Sequence, residues 1–128
     1  MADERARDRD LTEGRGLAEQ WVGLLLAPAA FFVHLQIAYV LVPWACLHRP
    51  EGDVWLHVTG IASVVLAAVG TWVAWRVWDR DGRDASDDGG GVPSRARFLA
   101  LTGLGMSAVF VLLLAAQWAA AFFISPCQ

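Results

Sequence analysis

Two cysteines and two histidines are the residues of this 128-residue chain that could bind a metal or form a covalent cross-link. Cys46 and His48 follow the first long apolar segment, His57 lies at the start of the second, and Cys127 is the penultimate residue. Two thiolates and two imidazoles would suit Cu(I) or Zn²⁺, but Cys-x-His is not a strong metal-binding spacing. The chain has no other cysteine, so a disulfide is the competing interpretation, and it would consume both thiols.

Another group of polar residues lies inside the apolar segments. His34 lies about 15 Å from the end of its segment at a rise of 1.5 Å per residue, where an ionisable side chain is by default a functional candidate. The favoured interpretation is structural: a neutral imidazole bonded to Ser63 or to a backbone carbonyl. Haem ligation by His34 and His57 is not expected because the rings would differ in depth by about 10 Å, and no cofactor is predicted.

Gln36 and Gln117 both lie about 10 to 12 Å below the outer surface of the membrane, by the same rise per residue. Two amides at one depth could bond to each other and join the first helix to the third.

Three charge-free stretches position these residues, at 21–48, 54–75 and 98–128. Each exceeds the roughly 18 apolar residues that a membrane-crossing helix needs. The sequence therefore predicts an all-α integral membrane bundle of three transmembrane helices. Their expected bounds are about 18–45, 54–78 and 95–124. Residues 1–17 are expected to form a disordered cytoplasmic tail before the transmembrane domain (18–128), and residues 79–94 a mobile cytoplasmic loop.

Arginine placement predicts the orientation of the bundle. Nine of the ten arginines lie in the tail or around the loop between the second and third helices, and the exception is Arg49. The positive-inside rule then places the N-terminus in the cytoplasm and the C-terminus outside, an N-in/C-out topology in a bacterial inner membrane. Both cysteines fall on the outer, oxidising side. This favours a Cys46–Cys127 disulfide over the metal site.

Small residues at a spacing of three and four predict the packing face of the second helix. Helices in lipid associate where small side chains let their backbones approach closely. The residues of this packing stripe are Gly60, Ser63, Ala67, Gly70 and Ala74.

The sequence gives little support for catalysis. It contains no Ser/His/Asp arrangement, no shielded carboxylate pair and no phosphate-binding glycine loop, so the chain is predicted not to be an enzyme. No nucleic acid partner is predicted, and the expected partners are the lipid bilayer and a larger membrane complex. A small transporter or channel subunit is an alternative, although the central part of each span has no charged residue.

The first helix and the C-terminus carry a family resemblance. The stretch WVGLLLAPAAFFVHLQIAYVLVPWAC and the closing Pro126-Cys127 resemble small membrane proteins encoded near haem-copper cytochrome c oxidase genes of proteobacteria. The residues that match are Trp21, Gly23, Pro28, Ala29, Gln36, Tyr39, Pro43, Trp44 and Cys46. The resemblance covers about a third of the chain and implies a respiratory neighbourhood rather than a mechanism.

These observations favour a non-catalytic accessory or assembly protein, associated with a respiratory terminal oxidase or another large membrane complex. The alternative is an outer-face protein that handles a metal or redox equivalents through Cys46, His48, His57 and Cys127.

Overall fold

The protein is all-helical in a computed structural model that describes residues 2–82, 92–125 and 127. The helices are α1 (Ala2–Leu47), α2 (Glu51–Val77) and α3 (Val92–Phe123), with a π-helical turn (Trp78–Gly82) directly after α2. Within the described residues, three segments are long and apolar enough to cross a membrane. They are Glu13–Leu47, Glu51–Arg80 and Arg97–Phe123. The predicted set of three apolar helices is confirmed.

The start of α1 differs from expectation. A disordered tail was predicted for residues 1–17, whereas the structure continues α1 back to Ala2. This segment contains four Arg, two Ala and two Glu, which favour helix, and no Pro, although its three Asp and two Gly are less favourable. Its polarity keeps it out of the apolar span but does not interrupt the helical backbone. Of the predicted mobile loop 79–94, the first residues belong to the π-helical turn and the last to α3, and residues 83–91 lie outside the described residues.

Small side chains lie inside this bundle and large apolar side chains lie outside, which is the opposite of a water-soluble bundle. The buried core consists mainly of small residues, with Ala27 and Ala67 fully buried and Leu114 as the largest buried side chain. Large apolar side chains instead cover the exterior, and Tyr39 and Phe123 are more than 80% exposed. An apolar exterior of this extent is compatible with a lipid bilayer, and a small-residue interior is typical of helices that associate in lipid.

The packing stripe of α2 is buried against its neighbours. All five of its residues are buried. At Gly70, an added Cβ would lie 3.1 Å from Cβ of Leu26 and 3.3 Å from the backbone nitrogen of Ala27. On α1, Gly23 approaches Ala74 so closely that its own Cβ would lie 3.0 Å from the Ala74 Cα. Backbone contact between α1 and α2 therefore runs along this stripe.

The third helix packs against α1 through a polar contact and a glycine. The buried Ser107 hydroxyl donates a hydrogen bond of 3.2 Å to the carbonyl oxygen of Gly23. A Cβ added at Gly103 would lie 3.3 Å from the same oxygen. The Phe31 and Phe110 rings meet at a centroid distance of 5.2 Å. Helices α1 and α3 are therefore direct neighbours.

Candidate functional site

Cys46 and Cys127 lie at one end of the bundle, which we call the disulfide end. Their Cα atoms are 5.6 Å apart and the two sulfur atoms are joined, so the structure brings the predicted pair to disulfide geometry. Cys46 lies in the last turn of α1 and Cys127 follows α3 by four residues. The bond therefore links the ends of the first and third helices.

The four residues of the alternative metal site do not converge. His48 stacks on Trp44 at 4.7 Å and donates from Nδ1 to the Trp44 carbonyl oxygen at 3.1 Å. His57 instead contacts Trp118. Among the residues that the structure describes, no three His, Cys, Asp or Glu side chains are placed to hold a metal ion.

His34 is buried and bonded to Ser63, which is one of the two arrangements that the sequence favoured. The Ser63 hydroxyl lies 2.7 Å from the carbonyl oxygen of Thr59 and 3.1 Å from Nδ1 of His34. A carbonyl oxygen only accepts, so the single hydroxyl proton goes to Thr59, and His34 then donates from Nδ1 to the Ser63 oxygen. This assigns the tautomer from the hydrogen-bond network. It leaves Nε2 of the neutral His34 ring as an acceptor.

A half-open cavity of about 700 Å³ extends from the disulfide end to His34. All three helices contribute to its wall. His34 forms part of its lining about 20 Å along the axis of α1 from Leu47. Arg49 and Ser125 lie on the lining near the disulfide end, and His57 and Gln117 also line it.

An aromatic cluster forms one side of this cavity. The Trp118 indole N–H donates to Nδ1 of His57 at 3.3 Å. The Phe122 ring lies 4.8 Å from the His57 ring and 5.3 Å from the Trp118 ring. Because an indole nitrogen can only donate, Nδ1 of His57 must accept, and the neutral His57 ring carries its proton on Nε2. The two histidines of the cavity thus have opposite tautomers.

The position of Trp118 depends on Gly60. A Cβ at residue 60 would lie only 2.6 Å from Cδ1 of the Trp118 ring. The sequence identified Gly60 as a packing residue of α2 but did not predict its contact with Trp118. Gly60 and Trp118 both fall toward the same end of their spans, which was the only hint of this contact in the sequence.

Opposite charges on the cavity lining are paired with each other. Nε of Arg49 lies 3.9 Å from a carboxylate oxygen of Asp53, one helical turn away. The Arg49 guanidinium also donates to the Ser125 hydroxyl at 2.9 Å. In the sequence, Arg49 stands out only as the one arginine away from the tail and the second loop, and neither contact was predicted.

The predicted bond between Gln36 and Gln117 is not formed in the described part of the chain. Both glutamines are exposed, but Gln117 lines the cavity, whereas Gln36 lies on the outside of α1 and is not part of that lining. Gln36 is two residues from the inward-facing His34 and therefore about 200° around the helix. Their equal depth stays a prediction, and the two side chains face different surroundings.

The chain was compared with protein-family models, curated proteins and solved structures, and none of these comparisons gives a match.

Proposed function

We propose that this chain is a non-catalytic accessory or assembly protein that docks into a larger membrane complex through the exposed face of α1. Gln36 is the observation that supports this proposal. It lies well inside a segment that can span a membrane, it is exposed, and its side-chain amide forms no hydrogen bond with another described residue. Tyr39 lies one turn further along the same helix and is 82% exposed.

An exposed amide is costly in this setting. Moving an amide from water into hydrocarbon without a hydrogen bond costs several kcal/mol, about 4–8 on the water-to-cyclohexane scale. A polar group on a neighbouring transmembrane helix removes that cost, and such interhelical bonds contribute about 0.6–2 kcal/mol. A protein partner beside α1 therefore explains why a glutamine is compatible with this face.

A respiratory terminal oxidase is the complex that we propose. Gln36 and Tyr39 are both among the residues that resemble the oxidase-associated membrane proteins, and both lie on the exposed face of α1. The residues shared with that family therefore include the polar groups that are available to a partner.

The Gln36→Leu variant tests the docking face. Loss of one interhelical hydrogen bond of about 1–2 kcal/mol predicts a 5- to 30-fold lower affinity for the complex. The measurement is the fraction of chain in the high-mass band of blue-native gels from mild-detergent extracts, with mass spectrometry of that band for oxidase subunits. Gln117→Leu is the matched control, since that amide lines the cavity instead. Equal high-mass fractions for both variants and the natural chain would rule out this face.

We further propose a bacterial inner membrane and an N-in/C-out orientation, supported by the nine arginines in the N-terminal segment and around the sequence between the second and third apolar stretches. This orientation predicts that alkaline phosphatase fused after Gln128 is active and that a cytoplasm-dependent reporter at the same position is silent. As the control, each reporter is fused to the N-terminus instead, where the opposite pattern of activities is expected. The reverse pattern of activities would invert the bundle and place the cysteines on the reducing side.

A further inference from the structure

The cavity at the disulfide end combines apolar walls with a few polar groups. Ala38, Val42, Leu56 and Ala121 contribute apolar surface, and the polar groups are those already described. Its volume of about 700 Å³ lies within the usual range of small-molecule sites, roughly 300–1,000 Å³. Because the cavity extends into membrane-length segments, a lipid-soluble molecule can reach it.

Charge balance indicates a neutral ligand. One guanidinium and one carboxylate line the cavity, and Arg49 and Asp53 are paired with each other. An anionic head group would have to compete with Asp53 for the guanidinium, and a cation would have to compete with Arg49 for the carboxylate.

Hydrogen-bonding groups indicate a ligand that both donates and accepts. The His57 ring retains an N–H at Nε2, because its Nδ1 accepts from Trp118. The His34 ring retains an acceptor at Nε2, because its Nδ1 donates to Ser63. The side-chain amide of Gln117 supplies both an acceptor and a donor, and it forms no hydrogen bond with another described residue.

The aromatic cluster indicates a flat ring. The Phe122 ring is tilted by 34° to the His57 ring at 4.8 Å and lies edge-to-face with the Trp118 ring at 5.3 Å, so the cluster presents both ring faces and ring edges. Aromatic faces and edges favour another planar ring over a branched or saturated group.

We propose that this cavity binds the ring of a lipid-soluble quinol. A quinol is planar and neutral, and its hydroxyls donate and accept at opposite sides of the ring. The oxidised quinone has only acceptors and cannot bond to Nε2 of His34. The site therefore prefers the reduced form, by about 5-fold for one hydrogen bond. This inference concerns binding alone and does not rest on the proposed docking through α1.

The test uses the full chain in lipid nanodiscs and the short-tailed probes decylubiquinol and decylubiquinone, with affinities measured by calorimetry under anaerobic conditions. Ala121→Phe places a ring in the cavity and is expected to weaken quinol binding at least 10-fold. Ala119→Phe is the matched control on the same helix, exposed and not part of the lining. Gln117→Leu is expected to weaken binding about 5-fold and Gln36→Leu to leave it unchanged.

Absence of quinol binding by the natural chain would overturn the proposal. Equal losses in Ala121→Phe and Ala119→Phe would do the same, as would displacement of the quinol by phosphatidylglycerol, which would reassign the cavity to phospholipid. The two glutamine variants separate this inference from the docking proposal. If the docking proposal is wrong, Gln36→Leu leaves the high-mass complex unchanged. If the quinol site is wrong, Gln117→Leu leaves the quinol affinity unchanged.

Discussion

Replacing either Cys46 or Cys127 with Ser is expected to lower the free energy of unfolding by up to ~4 kcal/mol. The bond closes a loop with a sequence separation of 81, for which the chain-entropy model gives about that value. Insertion of the spans already confines the unfolded chain, so the measured loss should lie below this limit. The measurement is thermal unfolding in detergent with and without reductant.

Non-additivity is the control for this prediction. The two single variants and the double variant remove the same bond, so all three should be equally destabilised. Reductant should lower the stability of the natural chain and leave the variants unchanged. Recovery of both cysteines as free thiols from freshly isolated, alkylated membranes would contradict the cross-link and favour the metal site.

The Gly52→Ala substitution is expected to destabilise the bundle by about 1–3 kcal/mol, the usual cost of overpacking a close contact. A Cβ at this position would overlap the backbone and the side chain of Ala45, which is fully buried. Only residues 48–50 connect α1 to α2, so the two helices have little freedom to separate there. The midpoint of thermal unfolding in detergent should fall.

Gly105→Ala is the matched control for this substitution. Gly105 lies in α3 and has nothing within 4 Å of an added Cβ. Alanine favours helix over glycine by roughly 0.5–1 kcal/mol, so this variant should be as stable as the natural chain or slightly more stable. If Gly52→Ala behaves like Gly105→Ala, α1 and α2 do not approach closely at Ala45.

The buried hydrogen bond of His34 shows how far residue spacing predicts a contact. Ser63 belongs to the packing stripe of α2, and His34 is spaced four residues from the small residues Ala30 and Ala38 of α1. The contact between His34 and Ser63 therefore follows if these two rows of small residues pack against each other. The same reasoning failed for Gln36 and Gln117. Depth follows from counting residues at 1.5 Å each, but the direction of a side chain also depends on which faces the helices present to each other.

The sequence by itself determined the three apolar spans, the packing stripe of α2 and the common end of the two cysteines. Each of these depends on local composition or on distance along a helix axis. Only the tertiary structure decided the cavity, the cluster of His57, Trp118 and Phe122, and the contact of Gly52 with Ala45. These depend on the rotation of each helix about its axis, and helices that are apolar on every side carry no polar face from which that rotation could be predicted.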